Sequence, residues 1–522
     1  MRRRTFAESD LHRREFLVSA ATIAALPVLG SQVYGVVQRR PTFSSDPFSL
    51  GISSGDPAPD GFVIQTRLAP KPTAGGGMPA ENVEVRFEIA TDRAMKKVLR
   101  RGIAVATPQL GHSVHVELHG LKPDRWYWYR FTSGDATSQV GRARTTPPNL
   151  HMPGQLNFAF ASCQHYEQGL FTGLGHMARE ELDLVVHLGD YIYEYGGIDG
   201  KVRKHTGPEI TTLEHYRNRY GQYQTDPHLQ AAHAHCPWLV TWDDHEVDND
   251  YATFHSEQPG VSAASFMKRR ANAYQAYYEH LPLRRTSIPT GPFMQLYRRV
   301  PWGRLADFAI LDTRQHRTPQ ANGNGLKPLV GEALNPNATI LGGRQEAWLR
   351  RTWLESKAQW NVMAQQVLMA RVDRLPGPAE GYTMDKWAGY EVCRQRVMQA
   401  LADLKVPNPV VLTGDIHSNW VCDLPLDYNR HDKTVIGTEF ICTSISSGGN
   451  GSEKVEYTDG MIAENPWVKL HNAERGYVRC RVTPRQWTTD FQVVEDVLKP
   501  GGRLVTRHSY VVESGQPGAQ KV

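Results

Sequence analysis

Cysteine is scarce in this chain: six in 522 residues, at positions 163, 236, 393, 422, 442 and 480. No two form a C-x-x-C pair, which excludes a zinc ribbon and a disulfide-stapled scaffold. A strong excess of one charge is also missing. The formal net charge is +5, and five arginines against three acids fall in the first thirty residues. So mild and unclustered an excess leaves no electrostatic footprint for nucleic acid, and no specific nucleic-acid binding is expected. There is no long internal repeat and no low-complexity tract. A single apolar run, Leu17 to Gly30, reads as a targeting segment. It is too short and too rich in Ala, Ser and Thr to span a bilayer stably.

That run directly follows Arg13-Arg14-Glu15-Phe16. A twin Arg before a modest apolar stretch resembles a bacterial twin-arginine export signal, here assigned to residues 1–35. The expected partner is the twin-arginine export machinery, and the expected location is periplasmic or extracellular. That route carries folded proteins, so a cofactor can be inserted before export.

The remainder has ordinary globular composition, 40% hydrophobic and 22% charged, with 12 Trp and 21 Tyr against disorder. Its length allows two or three domains. Residues 44–146 read as a β-sandwich domain. Val83, Val85, Phe87 and Ile89 alternate with polar neighbours, and so do Val114, Val116 and Leu118. A turn at Gly120 precedes the aromatic strand ending at Phe131, as in many small sandwiches. Pro147, Pro148 and Pro153 mark a linker. Residues 155–510 mix strands and helices and read as an α/β catalytic domain. Helices are expected over 264–280 and 345–357, and strands over 156–163, 305–312, 439–445 and 476–482. The Gly- and Gln-containing tail after Glu513 is expected to fray.

Three apolar runs in this region end abruptly in acidic motifs. They are Asp183-Leu-Val-Val-His-Leu-Gly-Asp190-Tyr-Ile-Tyr193, Pro237-Trp-Leu-Val-Thr-Trp-Asp243-Asp244-His245-Glu246 and Pro409-Val-Val-Leu-Thr-Gly414-Asp415-Ile-His417. Short β-branched runs read as buried strands, and ligands gather beyond the carboxyl ends of strands in open α/β sheets. One such motif is weak evidence, since turn acids are common after strands. Three, each with an added Tyr or His, point to one cleft holding hard metal ions suited to phosphoryl chemistry. Cys163 closes a fourth run of the same kind, and its place at the strand end favours ligation over simple packing.

Other signals carry less. Gly51-Ile-Ser-Ser-Gly55 matches a serine-hydrolase pattern but runs into Asp56-Pro57, not a helix. His233, His235 and Cys236 do not share a helix face, so packing is the safer reading. Ser447-Gly-Gly-Asn-Gly-Ser452 lacks the Lys of a phosphate loop. The Tyr-rich stretch at 274–278 reads as core.

Phe-Ala-Ser-Cys163-Gln, Leu-Gly-Asp190-Tyr-Ile-Tyr193-Glu-Tyr, Trp242-Asp-Asp-His-Glu246-Val-Asp-Asn249, Leu311-Asp-Thr-Arg314, Gly414-Asp-Ile-His417, Trp348-Leu349 and Ser444-Ile-Ser-Ser447 together resemble the PhoD-type alkaline phosphatases of the metallophosphatase superfamily. The resemblance covers most of the chain. It implies two packed mixed β-sheets flanked by helices. It also implies Cys163 and Tyr193 on a ferric ion, with Asp190 bridging to calcium and Asp244 on the second metal and phosphate. Asp415 falls on the second-metal side and His417 on the first. Asp243 and Asn249 are further candidate calcium ligands, and another divalent ion could take that site. His245 would donate to phosphate or leaving group. Fe³⁺ favours anionic donors, and calcium takes six to eight oxygens at roughly 2.3–2.6 Å. The implied activity is hydrolysis of phosphate mono- or diesters by a metal-bound hydroxide, in phosphate scavenging. A phospholipase D-type phosphodiesterase acting on phospholipid is the alternative on the same scaffold. A non-catalytic phosphate-ester binding protein is the alternative of another class. His316 stands where a Tyr is expected and Ala388 where an acid is commoner, and both are expected to alter the lip of the cleft.

Overall fold

The computed structural model describes residues 37–429 and 434–522. The export signal read at residues 1–35 lies outside the described residues. At the centre of a ten-stranded mixed sheet, Leu156–Ala161, Leu184–His187 and Trp238–Val240 run parallel as neighbours. In an eight-stranded mixed sheet, Ala306–Ile310, Trp360–Ala364, Pro409–Thr413 and Val435–Ile441 do the same. These strands are apolar with little alternation because both of their faces are covered.

The sheets pack face to face. Phe158, Phe160, Val186 and Leu239 of the first meet Phe308, Val362, Leu412 and Phe440 of the second in one buried core. Helices Leu213–Gln224, Pro227–His235 and Ala263–His280 supply the outer layer over the first sheet. Gly342–Glu355 and Glu391–Asp403 do so over the second. Capping fixes where the first three begin. Thr212, Asp226 and Ser262 each accept backbone N–H groups of the first turn, and Pro227 follows its cap directly. The fold is the expected α/β arrangement of two mixed sheets with helical flanks.

The N-terminal region is all-β, as expected, and one of its two sheets is continuous with the central sheet. Ile52–Ala58, Gly61–Arg67 and Ser113–Glu117 extend the ten-stranded sheet beyond Trp238–Val240. Asn82–Ala90, Val98–Ala106, Trp126–Ser133 and Gly141–Arg144 belong to a six-stranded sheet. Val85, Ile89 and Tyr129 of that sheet pack on Ile52, Phe62 and Ile64. One wall of the sandwich is therefore the end of the central sheet, a sharing that local periodicity does not reveal. The expected frayed tail is corrected. Gln516–Lys521 is a strand paired with Leu504–Glu513, and Ala519 is buried. Gly515 makes the hairpin turn at φ 80°, where glycine avoids the strain of a side chain.

Candidate metal centre

Cys163, Asp190 and Asp243-Asp244 follow three neighbouring parallel strands, and Asp415 and His417 follow a parallel strand of the facing sheet. All emerge at the same rim. An isolated bridge between Ser162 and Ser444 ties the two sheets together there. Cys163, Asp190, Asp415 and His417 have φ of 60°, 53°, 65° and 54°. Each such residue costs roughly 1–3 kcal/mol, and strain of this kind gathers at functional sites. Gly189 takes φ 111°, and a Cβ there would lie 2.5 Å from Asp243 N. The sharp exit from the strand thus requires glycine. Glu246 staples the loops, accepting N–H bonds from Asp190 (3.1 Å), Tyr191 (2.5 Å) and Asp243 (2.8 Å).

Three overlapping groups of ligand-type atoms result: Cys163, Asp190 and His417; Asp190, Asp244 and His245; Asp243, Asp244 and Asp415. Within each, the candidate atoms lie within 4.8 Å of one another. Tyr193 joins the first, its Oη donating to Asp190 Oδ2 (2.9 Å) and lying 3.2 Å from His417 Nε2. Asn249 is not drawn in the same way. Its side-chain amide donates to Glu257 Oε2 (2.6 Å) and its backbone N to Glu194 Oε1 (2.9 Å).

The electrostatics fit a place built for cations. Burial pushes the Asp190 carboxyl up to about 7, with Asp244 and Asp415 adding to it against His245. Burial, Asp244 and Asp415 also raise Asp243 well above the carboxylate range, despite Arg314. Burial followed by Asp190 raises the Cys163 thiol and the Tyr193 phenol. Burial lowers His417 to about 3, helped by Arg475. Asp244 goes the other way: burial resists its charge, but Arg314 and His245 outweigh burial. Burial likewise opposes charge on His245, yet Glu194, Asp190 and Asp244 raise it well above the usual range. A bound cation reverses this logic for the thiol, phenol and carboxyls, whose ionised forms are the ligands. Asp190 Oδ1, Asp243 Oδ2 and Asp244 Oδ1 are buried without a hydrogen-bond partner among the described residues.

Several neighbours have roles that the sequence motifs alone do not reveal. Arg314 is fully buried, with Nε 2.5 Å from Asp243 Oδ1, Nη1 2.8 Å from Asp385 Oδ1 and Nη2 3.4 Å from Asp244 Oδ1. Lys386 pairs with Asp415 and, at 3.1 Å, with Asp385. Ser447 Oγ donates to Cys163 O and lies 2.8 Å from Tyr193 Oη. Glu194 Oε2 holds His245 Nδ1 at 2.8 Å. Arg314, Glu194 and Ser447 lie within the sequence motifs, but their roles depend on loops from distant segments meeting.

His165, Glu167 and His205 form a fourth buried group. Each of its imidazoles already has hydrogen-bond partners in the protein. His205 bonds Tyr195 O and Tyr223 Oη, both at 3.0 Å, and His165 Nδ1 accepts from Glu167 N. His165 packs 4.3 Å from the Tyr193 ring, a prop beneath the site. His233 stacks on Trp238 and His235 bonds Glu180 O, as packing histidines do. Ala388 is buried in an apolar cluster with Ala333 and Met384 instead of lining the lip. His316 packs near Gly342 and Tyr297.

Two sheets face to face with acid-, imidazole- and thiol-bearing loops at one rim define the class. Residues 158–491 match the PhoD-like phosphatase family, and residues 35–147 match the N-terminal domain of PhoD-like phosphatases. The chain belongs to the PhoD-like phosphatase family. It is 48% identical over 533 residues to alkaline phosphatase D of Bacillus subtilis (strain 168), covering 100% of this chain and 91% of that one. It also superposes on the solved structure of PhoD with a TM-score of 0.91 at 50% identity, covering 92% of this chain and 93% of that one.

Proposed function

We propose that the protein is an exported, metal-dependent phosphohydrolase that cleaves phosphate mono- or diesters and serves phosphate scavenging. The observation that carries this reading is the sharing of Asp190 and Asp244 among three ligand-type clusters at one rim. Such sharing suits two adjacent ions. Cys163, Tyr193, Asp190 and His417 would hold a ferric ion, whose preference is for anionic donors. Asp190, Asp243, Asp244 and Asp415 would hold calcium, which prefers oxygen. The buried Asp190 Oδ1 and Asp243 Oδ2, without a hydrogen-bond partner among the described residues, fit that assignment. Asn249 fits it less well, since its amide is directed to Glu257.

When bound, the metals supply a nucleophile at moderate pH and neutralise phosphate charge. The chain's own residues do the rest. Glu194 fixes the His245 ring through Nδ1, which leaves Nε2 to donate a proton toward the phosphate or the departing alcohol. Ser447 and His165 hold Tyr193 in place, one by hydrogen bond and one by ring packing. Arg314 and Lys386 set the directions of Asp243 and Asp415.

The test is hydrolysis of a paired chromogenic monoester and diester by the purified, metal-replete protein. Turnover of at least one, lost on chelation, is expected. Inertness toward both would leave the binding-protein reading.

A further inference from the structure

Away from the metal centre, a cavity of about 180 Å³ opens between the N-terminal strands and the catalytic helices. Its lining includes Arg67, Arg217, His112, Gly76 and Met78, and no Asp or Glu. Arg67 ends the strand Gly61–Arg67 and is 3% exposed. Its Nε–H donates to Gly111 O (2.8 Å), and Nη1 donates to His280 Nε2 (2.8 Å). His280 Nδ1 is taken up by Ala276 O, so Nε2 is the acceptor and the ring is neutral. A guanidinium carries five N–H donors. Three of those on Arg67 therefore have no acceptor among the described residues. No carboxylate among those residues lies within salt-bridge distance of it either. Burial, with Glu279 opposing and Arg217 assisting, lowers its pKa only to about 10, so it stays charged at neutral pH.

The rest of the wall does not cancel that charge. Glu279 is spent on Arg217, meeting Nε and Nη2 at 2.6 Å each and leaving Arg217 Nη1 without a partner among the described residues. His112 gives Nε2 to Glu81 O, and burial lowers its pKa. The two guanidinium groups thus share one contacting carboxylate, with Glu214 Oε1 near Gly75 at the edge of the wall and bonded to neither. A buried charge without a counter-ion is costly. Here it faces open volume.

We infer that this cavity is a second binding site, for a small oxyanion of the sulfate or phosphate class, seated on Arg67 and Arg217. The anion supplies the missing counter-charge and accepts the spare N–H groups. Its walls come from the loop 71–80 and the turn 107–112 on one side and from Leu213–Gln224 on the other. An occupant therefore ties the N-terminal strands to the catalytic region, where Gly75 N already donates to Asn218 Oδ1 (2.8 Å).

The experiment uses the holoenzyme, sulfate and selenate. Sulfate is titrated against chloride at constant ionic strength, and the rise in Tm gives an apparent affinity. Crystals soaked in selenate are searched for selenium by anomalous scattering. A saturable rise in Tm and a selenium peak at the Arg67 guanidinium are expected. Arg67→Gln should weaken the apparent affinity about tenfold, the loss of one charge-assisted contact. Ala80→Glu places a competing carboxylate at an exposed part of the wall while keeping Arg67. It should weaken sulfate to a similar degree, and it decides the matter where R67Q does not fold. Absence of selenium from the cavity, or an A80E protein that responds to sulfate as the parent does, would overturn the proposal.

Discussion

Asp190 belongs to two of the clusters and bonds Tyr193 through one carboxylate oxygen while the other has no partner among the described residues. Asp190→Ala is expected to lose both metals and to lower kcat/KM by at least about 100-fold. Elemental analysis beside kinetics checks this, and full activity in that variant would place the site elsewhere. Glu246 acts through backbone. Glu246→Ala leaves three buried N–H groups without an acceptor. At roughly 1–3 kcal/mol each, the cost should show as a clear fall in Tm before any change in substrate preference. Glu439 gives a pH signature. Burial raises its carboxyl to about 7 against bonds from Thr413, Met369 N and Ala370 N, from an ordinary value of 4.5. The folded chain thus holds that proton more tightly than the unfolded chain. The stability this contributes is complete below pH 4.5 and is lost as pH rises to about 7. Glu439→Gln should flatten the unfolding midpoint over that window, and an unchanged slope would contradict the assignment.

At the scale of elements, the strand ends were the most legible feature. Asp190, Asp244 and Asp415 could be read as convergent because buried parallel strands deliver their carboxyl ends to one rim. Gly189 is the element-level device behind the first of them. Gly189→Ala puts a Cβ against the Asp243 backbone in a φ that disfavours it. The expected result is loss of metal content together with reduced stability; a variant with normal metals would show that the turn tolerates a side chain. The last strand is hidden from local pattern because a Gly-containing tail reads as frayed, whereas Gly515 closes a hairpin. Its residues are held, with Ala519 N bonding Asp423 Oδ1 at 3.0 Å. Deleting residues 515–522 should lower Tm measurably.

For the whole molecule, the layer type is legible in the sequence, but how the layers share strands is not. Pairing of Trp238 with Gly55 joins segments 183 residues apart, and no local pattern encodes it. The same holds for Arg314, which meets Asp243 and Asp385 from loops some seventy residues away on either side. Ligand types can be read from motifs, but the groups that orient them come from long-range assembly. The proposed export belongs to this scale as well. Replacing Arg13 and Arg14 with Lys should strand the precursor inside cells, and unchanged export would count against the twin-arginine reading. Metal dependence is tested by joining composition to turnover. Protein purified from the exported fraction is analysed for metals, assayed on the paired monoester and diester, stripped by chelation and reloaded. Two kinds of metal, iron and calcium, are expected, with activity that disappears on stripping and returns on reloading. Full activity in the stripped protein would contradict it.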